Sequence, residues 1–126
     1  MINQVDIMLY VKDVKEAANF WQKGFGITKV ETIDLPESFI SIKLTLLNQV
    51  SLQLFDKAFI QQFSPEVAMN TPSLLFKTDN IEALHQQLKQ ISPFVSEITN
   101  ETGTKQFHFS DKESNYFAVM ADKLTH

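Results

Sequence analysis

The stretch Asp6–Ile27, DIMLYVKDVKEAANFWQKGFGI, sets the pattern for the whole chain. Val5–Val11 is apolar and β-prone and reads as a buried strand. Asp13 follows as a helix N-cap, its short carboxylate suited to the free N–H groups of a first turn. Val14, Ala17, Ala18 and Trp21 then fall at i, i+3, i+4 and i+7, one face of a helix. Gly24 and Gly26 supply its stop. The same order returns in Pro72–Leu88, PSLLFKTDNIEALHQQL. Here Ser73–Thr78 is the strand and Asn80 the cap, and Ile81, Leu84, Leu88 and Ile91 step along the helix. At an offset of 67 residues Asp6 aligns with Ser73, Asp13 with Asn80, Val14 with Ile81 and Trp21 with Leu88. An internal repeat of this kind speaks to fold before it speaks to function.

Working outward, three strand-like runs follow the first helix: Ile27–Asp34, Phe39–Leu47 and Val50–Asp56. Ile40, Ile42, Leu44 and Leu46 alternate with Ser41, Lys43 and Thr45, the mark of a half-buried strand, and Asn48-Gln49 fits a tight turn. After the second helix, Val95–Thr99 and Lys105–Ser110 read as weaker strands. A turn at Asp111–Asn115 then leads to a last strand, Tyr116–Ala121. Between the repeats, Phe59, Ile60 and Phe63 suit a short helical turn within a crossover. The expected organisation is an α+β fold in one domain, residues 1–126. It holds a first βαβββ unit at 1–57, a crossover at 58–71 and a second βαβββ unit at 72–122.

Composition narrows the chemistry. At 126 residues the chain suits one domain of about 100–200 residues. It carries 11 Lys, no Arg and 15 acidic residues, a net charge of −4. Without a guanidinium fork it lacks the preferred clamp for phosphate, carboxylate or guanine, so no nucleic-acid partner is expected. No apolar run approaches the roughly 18 residues that span a bilayer, and no secretory leader is visible. Zero Cys removes thiolate chemistry and suits a reducing cytoplasm. The three Gly lie outside any phosphate-binding loop. Only His85, His108 and His126 carry imidazole, whereas Phe occurs 11 times. His85, mid-helix between Leu84 and Leu88, is expected at the edge of the solvent face. His126 is terminal.

The segments DIMLYVKDVKEAANFWQKGFGI, VSLQLFD, PSLLFKTDNIEALHQQL and FHFSDKESNYFAVM make the chain resemble the vicinal oxygen chelate superfamily. That superfamily includes glyoxalase I, bleomycin-resistance proteins and extradiol dioxygenases. The resemblance implies that each βαβββ unit curls its sheet into half of a cup around a cavity. The halves close within one chain or swap between two. It also implies four metal-ligand positions, usually His, Glu, His and Glu, which here are Asp6, Gln53, Ser73 and Ala118. Ala118 has no donor, and Ser73 and Gln53 are neutral oxygen donors too weak to replace imidazole and carboxylate. No metal and no other cofactor are therefore expected. The chain is closer to the bleomycin-resistance branch, which binds its ligand without a metal.

Alternation extends the cup face from those four positions. It adds Met8 and Tyr10 to Asp6, Ser51 and Phe55 to Gln53, Leu75 and Lys77 to Ser73, and Tyr116 and Met120 to Ala118. If the Asp111–Asn115 hairpin pairs Phe109 with Phe117, His108 lies beside Ala118. The expected ligand-binding set is thus Asp6, Met8, Tyr10, Gln53, Phe55, Ser73, Leu75, His108, Tyr116, Ala118 and Met120, mainly apolar with a few polar groups. The ordinary reading of Tyr10, Tyr116, Met8 and Met120 is core packing, and that of Asp6 is a solvated or Lys-paired acid. The expected function is binding of an apolar or aromatic small molecule, for sequestration, carriage or sensing, by a homodimer. An anionic ligand would rely on Lys77 or backbone N–H groups. One alternative is a diverged lyase or isomerase with Asp6 or His108 as general base. Another is a dimeric interaction module whose cavity is filled.

Overall fold

The computed structural model describes residues 1–100 and 103–122. Its strands and helices run β1 (Val5–Val11), α1 (Val14–Phe25), β2 (Val30–Asp34), β3 (Ile40–Leu47), β4 (Val50–Asp56), α2 (Lys57–Phe63), β5 (Leu75–Thr78), α3 (Ile81–Lys89), β6 (Gln106–Ser110) and β7 (Tyr116–Ala121). They form an α+β fold with two mixed sheets, ordered β1-β4-β3-β2 and β5-β7-β6. The first unit comprises residues 1–22 and 26–72, and the second takes in Lys23–Phe25 and the residues from Ser73 onward.

In the first unit β1 pairs with β4 in parallel, while β4–β3 and β3–β2 are antiparallel. The register lines up Leu9, Leu54 and Ile42, and next to them Leu52 and Leu44. All five are buried, as are Val14, Ala18 and Trp21 on the apolar stripe of α1. Fully burying a side chain of this size contributes about 1.5–3 kcal/mol. The helix starts where Asp13 accepts the Glu16 N–H at 3.0 Å. It ends at Gly26, which adopts φ 65 and donates its N–H to the Gln22 carbonyl. Ile27 donates to the same carbonyl, so it closes the helix and β2 begins only at Val30. Gly24 is not a stop but a helical residue where a side chain would meet Leu88 and Ile91. A bulge at Thr45–Leu47 breaks the alternation of β3 before Leu46 can continue it. The crossover contains a true helix, α2, capped by the Asp56 carboxylate on the Ala58 N–H. Phe59 of this helix stacks with Phe39 and Phe63.

In the second unit β5 runs parallel to β7, and β7 antiparallel to β6. Buried Phe107, Phe109, Phe117 and Val119 form the inner face, with Leu88 and Ile81 from α3. Phe25 and Phe76 join through ring contacts to Phe109 at 5.7 and 6.3 Å. Asp111 organises the β6–β7 turn. Its Oδ1 accepts the N–H groups of Glu113 and Asn115 at 2.9 Å each, and Oδ2 accepts the Asn115 amide at 2.8 Å. That turn sets Phe109 opposite Phe117 and His108 opposite Ala118.

Three expectations about this unit are corrected. Strand β5 starts at Leu75, leaving Ser73 and Leu74 outside it. Val95–Thr99 makes only isolated bridges, Val95 with Phe109 and Thr99 with Gln106. The physical reason lies at Ser96, whose hydroxyl accepts the His108 N–H at 2.9 Å and so takes the place of a backbone carbonyl in the ladder. His85 is buried rather than at the solvent edge. Its Nε2 lies 2.8 Å from the Ser96 carbonyl and its ring stands edge-on to Phe107 at 4.8 Å, so it is a packed, hydrogen-bonded core histidine. His126 lies outside the described residues.

Candidate functional site

In each unit the sheet face opposite the aliphatic or aromatic core is partly exposed, with Ser41, Ser51 and Ser110 buried on it, and the expected site residues other than Ser73 sort onto these faces by register. On the first unit, one row holds Asp6, Ser51 and Thr45, the next Met8, Gln53, Lys43 and Glu31, and the third Tyr10, Phe55, Ser41 and Ile33. The third row is aromatic at one end, with the Tyr10 and Phe55 rings 6.4 Å apart and tilted by 36°. Met8 is 42% exposed, a large value for an apolar residue in the middle of a strand.

The polar groups of this face are already organised. The Lys43 ammonium lies 3.5 Å from Asp6 Oδ1, with both side chains partly covered. Gln4 donates its amide to the same oxygen at 2.9 Å. Gln53 donates its amide to Ser41 Oγ at 3.0 Å, and the Ser41 hydroxyl donates to the Leu54 carbonyl at 2.9 Å. Beyond the Asp6 row a cavity of about 290 Å³ opens, bordered by Gln4, Lys29, Glu31, Lys43, Thr45 and Ser51 among others.

On the second unit the rows are Leu75–Ala118–His108, Lys77–Met120–Gln106 and Tyr116–Ser110. Leu75 is 51% and Tyr116 60% exposed, and His108 is exposed beside them. Phe94 contacts the Tyr116 ring edge-on at 6.0 Å. Ser73 is exposed and precedes the sheet.

These positions do not fit a divalent metal. In the first unit Asp6 faces the Lys43 ammonium and accepts from Gln4, while the Gln53 amide donates to Ser41. In the second, Ala118 carries no donor and Ser73 stands outside the strand. Among the described residues no three His, Asp or Glu side chains gather as ligands.

Sequence reasoning missed Lys43, Ser41 and Phe94. The first two were within reach, because Ser41, Lys43 and Thr45 alternate with buried Ile42 and Leu44 and so share the open face. Phe94 follows Pro93 in a segment without strand periodicity, and no local signal places it beside Tyr116.

Paired strand–helix–strand units, each with one helix-backed face and one open face of apolar and polar side chains, define a class of α+β folds built by repetition. The chain belongs to the glyoxalase/bleomycin resistance protein/dioxygenase superfamily, whose family model matches residues 2–119. No protein of curated function matches it in sequence. Among solved structures it is similar to TioX from Micromonospora sp. ML1, with TM-score 0.75 and 11% identity over 94% of this chain and 97% of that one. It is similar to TnmS3, an antibiotic-binding protein from Streptomyces sp. CB03234, with TM-score 0.71 and 20% identity over 98% of each chain. A glyoxalase/bleomycin resistance protein from the same Streptomyces strain gives TM-score 0.69 and 20% identity over 92% and 97%. Each of these likenesses is one of fold. No helix among the described residues is long and apolar enough to cross a membrane.

Proposed function

We propose that the protein binds a small apolar or aromatic molecule through its open sheet faces, without a metal, for sequestration, carriage or sensing. The observation that carries this reading is the exposure of Met8, Leu75 and Tyr116 on strand faces where folding alone would place polar side chains. Tyr10 and Phe55 add a ring surface, and Gln53 and His108 supply directional polar groups. The antibiotic-binding protein of the same fold supports a small-molecule ligand. The proposal places the molecule in the cytoplasm as a homodimer, in keeping with its lack of cysteine and with its family resemblance.

Base catalysis is the weaker reading, because the Gln4 amide and the Lys43 ammonium already occupy Asp6 Oδ1 and leave only Oδ2 to take a proton. The test is a thermal-shift screen of planar aromatic compounds in the presence of EDTA. A hit at 100 times its Kd raises stability by about 2.7 kcal/mol. Replacing Tyr10 and Phe55 together with Ser lowers affinity about tenfold, as expected for removing a ring pair. Stabilisation that appears only with added divalent metal, or unchanged affinity in the double variant, rejects the proposal.

A further inference from the structure

The cavity beside the Asp6 row has a charge pattern that the apolar-ligand reading does not use. Lys29 precedes β2, and its carbonyl accepts the Thr45 N–H, which places it at the end of the Asp6–Ser51–Thr45 row. Glu31 is opposite Lys43 in the register. Two ammonium groups, Lys29 and Lys43, and one carboxylate, Glu31, therefore border one cavity, and a second carboxylate, Asp6, lies 3.5 Å from Lys43. Among the described residues neither Lys29 nor Glu31 takes part in an ion pair.

We propose that this cavity holds the zwitterionic head of the ligand, an ammonium and a carboxylate attached to one carbon, as in a free α-amino acid. A lone anion would meet Lys29 and Lys43 but also Glu31, with Asp6 already drawing on Lys43, and a lone cation would meet Glu31 between two ammonium groups. Only a group carrying both signs satisfies the set. Lysine suits the task, since point contacts to a small head group need no planar fork. The space of about 290 Å³ accommodates such a head with a few carbons, below the usual size of a whole-ligand pocket. The Met8–Gln53–Lys43 row lies between the cavity and the Tyr10–Phe55 row, so an aromatic side chain would extend along the strands over Met8 and Gln53 toward the ring surface. This inference rests on the proposed binding function and narrows its ligand to aromatic amino acids and their derivatives.

The test compares four probes by titration calorimetry and amide-shift mapping. They are phenylalanine, N-acetylphenylalanine, phenylalaninamide and N-acetylphenylalaninamide. Phenylalanine is expected to bind at least tenfold more tightly than each capped form, with shifts at Thr45, Gln49 and Ser51. Lys29→Met and Glu31→Gln, both at exposed positions, each erase that preference. Equal binding of all four probes overturns the zwitterion inference and leaves the apolar-ligand function standing. No binding of any probe, or a preference that survives both variants, also overturns it, and the aromatic-compound screen then judges the broader function separately.

Discussion

The two units share an opening of strand, capped turn and helix, and in the first the helix buries the rings of Phe20 and Trp21, yet the inner faces of the two sheets are filled differently. The first unit buries aliphatic side chains, Leu9, Ile42, Leu44, Leu52 and Leu54, on a sheet whose strands run to seven and eight residues. The second buries rings, Phe107, Phe109 and Phe117, on a three-stranded sheet of four- to six-residue strands. A small sheet offers few inward positions, and rings bury about 150–250 Å² each, so aromatic filling recovers area that extra strands would otherwise supply. What the repeat preserves is the caps and the periodicity. The chemistry of the filling is free to change.

The largest expected effect breaks the aromatic half of this comparison. Phe109 is fully buried and contacts Phe25, Phe76 and Phe117 at 5.7, 6.3 and 5.6 Å. Phe109→Ala is expected to cost about 3–5 kcal/mol in urea unfolding. A loss below about 1 kcal/mol would show that the ring cluster does not carry the second unit.

Two glycines at the end of α1, Gly24 inside the helix and Gly26 as its cap, test packing against backbone strain on a smaller scale. A Cβ on Gly24 would stand 2.9 Å from Leu88 Cδ2 and 3.1 Å from Ile91 Cδ1. Leu88 has no exposure into which to retreat. Overpacking of about 1–3 kcal/mol then outweighs the gain of about 0.5–1 kcal/mol that alanine brings to a helix. Gly26 has open space around it but a φ of 65, so Gly26→Ala costs about 1 kcal/mol through backbone strain alone. A Leu88→Ala background separates the causes. It is expected to make Gly24→Ala neutral or stabilising and to leave the Gly26→Ala cost unchanged, read as coupling energies from thermal unfolding.

Where local physics decides structure, the chain could be read directly. Asp13 and Asn80 announce their helices because a short polar side chain must satisfy free N–H groups, and both do so on the residue three positions on. The Asp111–Asn115 turn was readable for the same reason, and with it the pairing of His108 with Ala118. What failed depended on partners distant in sequence. Ser96 stops a strand by what it accepts from His108, and His85 is buried by Phe107 and the Ser96 carbonyl. The alternation of β3 puts Lys43 on the face away from Ile42 and Leu44, but its partner Asp6 on β1 follows only from the strand order, with β4 between them.

The smallest expected effect concerns two ion pairs, one in each unit. Lys105 lies 2.7 Å from Glu82 with both side chains about half exposed, whereas the Lys43–Asp6 pair is longer and more covered. Lys105 donates to the Glu82 carboxylate and, with the residue's own backbone N–H, holds its carboxyl below the ordinary glutamate range. A depressed carboxyl contributes stability that is present above the unfolded-state pKa and lost as pH falls through the folded one. The contribution therefore disappears only in acid, and solvent screening keeps it small. Lys105→Met is expected to move the Glu82 midpoint upward in a carboxyl-carbon NMR titration while barely changing the unfolding midpoint at neutral pH. A Glu82 midpoint that stays low would assign the effect to the backbone N–H instead. Lys43→Met should behave in the opposite manner. With its ammonium on an open sheet face beside a cavity, its loss is expected to appear in ligand affinity, most strongly for a carboxylate-bearing probe. If both variants altered only stability, the short exposed pair and the longer covered one would be structural equivalents, and the cavity beside Lys43 would lose its claim to a ligand.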